Sequence, residues 1–201
     1  MAKTVQRWRK HATGLMFVIW LLAASVIGSR WQENKLVGPV FAPVGCLLMG
    51  VGVIGRIWCL VCIAGFKNEE LITDGPYSLC RNPLYFFSIL ATIGAGLGSG
   101  TVSFPILAVL GFAVWYPGVI RFESRNLAER HGEAYAAYVR KTPLLIPSWR
   151  GFHESPEHTV RSSSFRRGVF DTLWFFGTYA LMHAFYTAHQ DGLLRVWYQW
   201  P

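Results

Sequence analysis

Gly75-Pro76-Tyr77-Ser78-Leu79-Cys80-Arg81-Asn82-Pro83-Leu84-Tyr85 is a polar, turn-forming stretch set between two long apolar runs, 37–66 and 85–120. Each run exceeds the roughly 20 residues that a helix needs to cross a bilayer. The stretch between them therefore belongs where a membrane protein meets water. It combines a cation, an amide and aromatic rings. Polar groups at membrane depth are costly unless they bind something, so the stretch is a site candidate. A second polar segment follows the next apolar block. It carries Arg121, Glu123 and Arg125, then Gly132, Tyr135, Tyr138, Pro143 and Pro147. The two segments are expected to close over one cofactor.

Composition supports the membrane reading. The 201 residues are 52% hydrophobic and 15% charged, against roughly 25% charged in a soluble domain. Mean hydropathy is +0.30. The expected fold is all-α, an integral membrane bundle of about five transmembrane helices forming a single domain over 1–201. Its family-like core lies at about 40–148, with an extra C-terminal span at about 168–188.

The spans read as follows. The first apolar run is 14–27, preceded by a basic lead of Lys3, Arg7, Arg9 and Lys10. Run 37–66 is too long for one straight span, and Pro39 and Pro43 are expected to mark an irregular start. Run 85–120 is long enough for two spans joined by a tight hairpin near 98–103. Its glycines Gly94, Gly96, Gly98 and Gly100 permit close helix contact, and Pro117 is expected to kink the second of these helices. Residues 123–138 read as an amphipathic helix, with Leu127, Ala128, Tyr135 and Tyr138 facing inward. The tail 193–201 is rich in Trp and Tyr and suits an interfacial belt. No cleavable leader is expected, because no A-x-A-like site follows the first run.

The net charge of +8 raises the question of nucleic acid. Distribution answers it. With the N-terminus in the cytoplasm, Arg30, Lys35 and Arg195 fall outside, Arg56 lies within a span, and every other Lys and Arg falls inside. That is the inside bias of a membrane protein, and it needs no nucleic acid. Both polar segments then face the cytoplasm.

Cys59 and Cys62 form a C-x-x-C within the second run, with no matching pair elsewhere. They read as small packing groups rather than a redox or metal site. His153 and His158 lie in a loop without metal-ligand spacing, and His183 reads as a packed residue of the last span. No metal is expected.

Leu71 to Tyr85 resembles the G-P-Y-x-x-x-R-H-P-x-Y signature of the isoprenylcysteine carboxyl methyltransferase and phospholipid methyltransferase superfamily. Arg121 to Tyr138, with Pro143 and Pro147, is similar to that family's second signature, a Glu pair followed by F-G-x-x-Y-x-x-Y and two prolines. The two in order are more specific than either alone. The resemblance implies an integral membrane enzyme that uses S-adenosylmethionine. It further implies a cofactor pocket at the cytoplasmic end of the helices and a lipid or lipidated acceptor. Three positions depart from the pattern: Asn82 for His, Ser124 for the second Glu and His131 for Phe. Asn82 can donate and accept hydrogen bonds but cannot titrate.

The cofactor's carboxylate needs a cation, for which Arg81 fits. Its ammonium needs a carboxylate, for which Glu123 is the candidate, and these two are the residues expected to carry catalysis. Tyr77, Tyr85, Tyr135 and Tyr138 could line an adenine slot. Gly75 and Pro76 would set a sharp turn against the ligand, with Asn82 and Pro83 completing the cofactor set. Arg56 and Arg125 are candidate substrate contacts. Each has a plain alternative. Arg81 could be an inside-rule charge, and Glu123 could pair with Arg121, Arg125 or Arg130. Tyr77 and Tyr85 could be belt residues, Tyr135 and Tyr138 core. A charge such as Arg56 within a span usually has a buried partner.

Two other functions remain open at this level. One is an NADPH-dependent membrane reductase of the sterol-reductase type, and the other is a bundle that has lost its chemistry. The chain has no G-x-G-x-x-G after a strand, no P-loop and no Cys/His zinc pattern. The acceptor's headgroup is not legible.

Overall fold

A computed structural model describes residues 18–29, 38–64, 66 and 70–200. The basic lead Lys3 to Lys10, the start of the first run, the loop 30–35 and Lys67 lie outside them. Residues 18–26 are helical, here α1. The chain continues through β1 (Ile27–Ser29), α2 (Gly38–Ile63), α3 (Pro76–Leu79), α4 (Pro83–Leu97) and α5 (Ser103–Lys141). A 3-10 turn (Trp149–Gly151), α6 (Ser162–Gln190) and β2 (Tyr198–Trp200) complete it.

The molecule is predominantly helical, with a small departure from the all-α expectation. β1 and β2 pair in parallel, Ile27 opposite Tyr198 and Ser29 opposite Trp200. The aromatic tail thus pairs with the segment that follows α1, leaving Trp197 and Tyr198 exposed.

Sequence places the helix starts. Pro76 and Pro83 occupy first-turn positions of α3 and α4, where the missing N–H is no loss and φ is already helical. α2 runs from Gly38 straight through Pro43. The bond that Pro43 removes would have used the Pro39 carbonyl in the first turn, so the helix continues. α5 ends with Arg140 and Lys141, whose charges suit the negative end of the helix dipole.

α5 is the largest surprise. The fourth expected span and the amphipathic helix 123–138 are one 39-residue element, interrupted at Gly132 (φ 48°, ψ −119°). Its unbroken part, from Ser103 to the break at Gly132, is about 43 Å long at 1.5 Å per residue, well beyond the roughly 30 Å hydrocarbon thickness. Its apolar N-terminal part can sit in lipid while the part carrying Glu123 and Tyr135 reaches water.

Among the described residues, α2 from Pro39 and α5 are long and apolar enough to cross a membrane. By length and composition they suit a membrane-associated protein. α4, at 15 residues, is about 22 Å long and short of a full crossing. α6 has the length, but its Thr, Tyr and His residues lower its hydropathy.

The bundle is held by close backbone approach. A Cβ on Gly45 would stand 2.7 Å from the Gly94 carbonyl oxygen, and one on Gly52 would run into Ala91. Small residues let α2 and α4 touch along their length, the packing mode that works without a hydrophobic drive between helices. α6 lies against α2, where Tyr179 Oη donates to the Ala42 carbonyl at 2.8 Å. Facing away from these contacts, Val40, Val44, Leu47, Val51 and Ile54 of α2 are exposed, as are Ile106, Leu110 and Val114 of α5. So large an apolar surface suits lipid rather than water.

Candidate functional site

The first polar segment is a tight turn, and its geometry requires glycine. Gly75 has φ 55° and ψ −131°, and a Cβ there would lie 3.0 Å from Cys62 Sγ. Pro76 and Pro83 are fully buried. The Ser78 hydroxyl donates back to the Gly75 carbonyl at 2.7 Å. Gly75 N donates to the His153 carbonyl at 2.8 Å.

Hydrogen bonds then join the two polar segments. Arg81 N donates to the Pro143 carbonyl at 2.8 Å and Ser148 N to the Leu79 carbonyl at 2.9 Å. Tyr138 Oη donates to the Tyr77 carbonyl at 2.7 Å. Asn82 Nδ2 donates to the Leu144 carbonyl at 2.9 Å. Asn82 therefore acts as a hydrogen-bonding strut between the segments, a task that needs no titratable group.

Where the segments meet lies a cavity of about 70 Å³ with a mostly apolar surface, here the polar cavity because its wall carries charged and hydroxyl side chains. Tyr77, Arg81, Asn82, Tyr85, Glu123, Tyr135 and Tyr138 all line it. Residues 61 positions apart in sequence, such as Tyr77 and Tyr138, thus share one wall. The Tyr85 hydroxyl donates to Glu123 Oε2 at 2.8 Å. Arg81 Nε is buried with no hydrogen-bond partner among the described residues. A buried donor of that kind is costly until something accepts from it. Burial, reinforced by the neighbouring thiols of Cys59 and Cys62, pushes the Tyr77 phenol well above its ordinary range, so it is neutral. Burial also pushes the Cys80 thiol up to about 11.

A second cavity, of about 570 Å³, adjoins the first and shares Tyr85 and Ser124 with it. Its walls are apolar, from Ile89 of α4 and Val109, Phe112, Tyr116 and Ile120 of α5, with Arg121 and Arg125 also lining it.

Several residues stand apart from the polar cavity. Gly75, Pro76 and Pro83 shape the backbone beneath it. Arg125 belongs to the apolar cavity. Arg56 lines neither: its Nη1 donates to the Ser88 hydroxyl, its Nε to Thr172 Oγ1 at 3.3 Å, and it lies over the Phe175 ring. It joins α2, α4 and α6. α6 itself lines neither cavity. Sequence reasoning missed Glu70 and Ile72 in the polar wall, whereas Leu127, expected to face inward, lines it. The acidic pair Glu69-Glu70 just before the motif was the available signal.

Comparison with known proteins gives the family. A family model described as phospholipid methyltransferase matches residues 40–134. The chain is 37% identical over 189 residues to the cobalt-zinc-cadmium resistance protein CzcN of Cupriavidus metallidurans, covering 92% of this chain and 87% of that protein. It is 32% identical over 177 residues to the nickel-cobalt-cadmium resistance protein NccN of Alcaligenes xylosoxydans xylosoxydans, covering 87% and 83%. No solved structure matches the chain.

Proposed function

The chain belongs to the phospholipid methyltransferase family, and from that premise we propose that it transfers a methyl group from S-adenosylmethionine to a lipid or lipid-like acceptor at the cytoplasmic face of the membrane. The observation that carries the reading is the polar cavity, with Arg81 and Glu123 in its wall, sharing Tyr85 and Ser124 with an apolar one.

The residues fit the cofactor. Arg81 would take its carboxylate, and the unpartnered Nε is a donor waiting for an anion. Glu123, oriented by the Tyr85 hydroxyl, would take its ammonium. Tyr77 and Tyr135 offer ring faces, and Gly75, Pro76 and Pro83 hold the turn that carries Arg81. The polar cavity is small beside the roughly 300–1,000 Å³ of sites that bury drug-sized ligands. It accommodates one end of such a molecule. The cofactor supplies an electrophilic methyl group on a sulfonium. The chain's part is to align acceptor and cofactor and to exclude water, which can supply much of the rate in an in-line displacement.

The apolar cavity is the natural place for the acceptor's body, with Tyr85 and Ser124 at the junction. An anionic or neutral acceptor attacks without a base. Asn82 cannot serve as one, so a protonated amine would have to lose its proton to Glu123. Five spans, a cytoplasmic N-terminus and a cytoplasmic site complete the reading, supported by the inside bias of Lys and Arg.

Isothermal titration of the detergent-solubilised protein with S-adenosylhomocysteine tests it. Binding in the wild type that is lost in Arg81→Ala and Glu123→Ala is expected. A folded wild type that binds none overturns it. From the relatives' names we carry over a setting, tolerance of cobalt and cadmium. A deletion strain should grow less on those salts, and the Arg81→Ala gene should not restore growth.

A further inference from the structure

Outside the lining of both cavities, chemistry-bearing side chains converge at the Gly75 turn. Cys62, in the last turn of α2, is buried. Its Sγ lies 3.8 Å from Nε2 of His158. The other ring nitrogen of His158, Nδ1, stands 3.7 Å from Asp74 Oδ2. The order is carboxylate, imidazole, thiol, with each imidazole nitrogen facing its own partner. Glu154 reaches the same turn: a Cβ on Gly75 would meet Cys62 Sγ at 3.0 Å and Glu154 Oε1 at 3.6 Å.

We propose that Cys62 and His158 form a binding site for a soft divalent transition-metal ion of the zinc or cadmium class, with Asp74 orienting the imidazole. Thiolate and imidazole are the donors such ions select. Tetrahedral zinc, with its sulfur at about 2.3 Å and nitrogen at about 2.05 Å, holds the two donors about 3.6 Å apart. The observed 3.8 Å needs almost no movement. A carboxylate on the remote ring nitrogen is the usual partner of a metal-bound histidine; it sets the tautomer and raises ligand basicity.

The plain alternative is a hydrogen-bonded chain. Such a chain would give no saturable thiolate-to-cadmium band that depends on Cys62 and His158, so a cadmium titration separates the two readings. Among the described residues no three His, Cys, Asp or Glu side chains stand ready as a cage. Two donors are set, and an ion would complete its shell with water or with Glu154. Glu154 Oε1 at present accepts from Trp58 Nε1 at 2.8 Å. Binding exchanges the thiol proton for the metal and releases that proton to solvent.

The site joins parts of the chain that sequence keeps far apart. Cys62 lies on α2, while His158 lies on the segment after the 3-10 turn, which is also pinned by Gly75 N to the His153 carbonyl and Arg161 N to the Ala64 carbonyl. An ion would fasten this segment over the turn that carries Arg81. Tyr77 packs in one cluster with Cys62 and also lines the polar cavity, so one side chain lies between the proposed ligand and that cavity.

The experiment is titration of the full detergent-solubilised chain with cadmium chloride, read by the ultraviolet thiolate-to-cadmium charge-transfer band. Cys46→Ser is the background, because Cys46 is an exposed thiol. The expected result is a band saturating at one cadmium per chain, lost in Cys62→Ser. Affinity should fall about 10–100-fold in Asp74→Asn, and at least as far in His158→Gln. No band, or a band unchanged in Cys62→Ser, overturns the proposal. If Cys62→Ser fails to fold, an unchanged affinity in His158→Gln overturns it equally. S-adenosylhomocysteine affinity, measured on the same samples, keeps this result separate from the methyl-transfer reading.

Discussion

Gly75→Ala puts the reading of the first polar turn to a quantitative test. Gly75 holds φ 55° and ψ −131°, outside the left-handed well that Asn or Asp can occupy, because that well needs ψ near +30 to +60°. Backbone strain of this kind costs about 1–3 kcal/mol for a residue with a Cβ. The new Cβ also meets Cys62 Sγ at 3.0 Å and Trp58 Nε1 at 3.7 Å, so the sulfur must yield. For a chain of this size each kcal/mol moves the unfolding midpoint by about 2–4 °C, so strain alone lowers it by about 2–12 °C. If the turn relaxes instead, the Gly75 N to His153 bond and the Ser78 to Gly75 bond are lost. Arg81 then moves, and S-adenosylhomocysteine affinity falls. Thermal unfolding and isothermal titration on the same preparation read both routes. Gly75→Asn should do no better than Gly75→Ala, which separates this turn from an ordinary left-handed one. An alanine variant with unchanged midpoint and unchanged affinity refutes the reasoning.

Three further outcomes are expected. Asn82→Ala removes the strut to Leu144, costs about 0.5–1.5 kcal/mol and weakens S-adenosylhomocysteine binding severalfold, whereas Asn82→His, which keeps a donor, retains most of it. Arg56→Met leaves that affinity unchanged and the midpoint unchanged or raised. Burying a charge is costly, so its removal offsets the lost bonds, and the Ser88 and Thr172 hydroxyls still donate to Leu84 and Gly168; loss of ligand binding would return Arg56 to the site. Cys80 is held near 11 by burial, above its unfolded value, so its neutral thiol contributes stability in full below about pH 9 and loses it as pH rises through 11. The midpoint should fall more steeply over that alkaline range in the wild type than in Cys80→Ala.

Local information carried the elements that depend on neighbours in sequence. Apolar runs, the prolines at 76 and 83 and the glycine-rich stretch at 94–100 gave the helices and the hairpin between α4 and α5. The motif spacing gave the cavity wall: Tyr77, Arg81, Asn82, Tyr85, Glu123, Tyr135 and Tyr138 all reach it. The continuous helix through Arg121 to Gly132 escaped notice, because a polar run beside an apolar one looks like a boundary when it is only the point where a helix leaves lipid.

The sequence by itself determined a membrane-associated helical protein with two polar segments of one family, because hydropathy and motif order are properties of contiguous residues. Only the tertiary structure decided what each charge faces. Arg56 turned to Ser88 and Thr172 because α4 and α6 close around it. Arg81 kept an unpartnered donor because the turn at Gly75 and the segment of residues 143–148 clamp it at the cavity wall. Cys62 met His158 across 96 positions because the segment after the 3-10 turn folds back over α2. Such pairings depend on packing between distant segments, which no local pattern of residue types encodes.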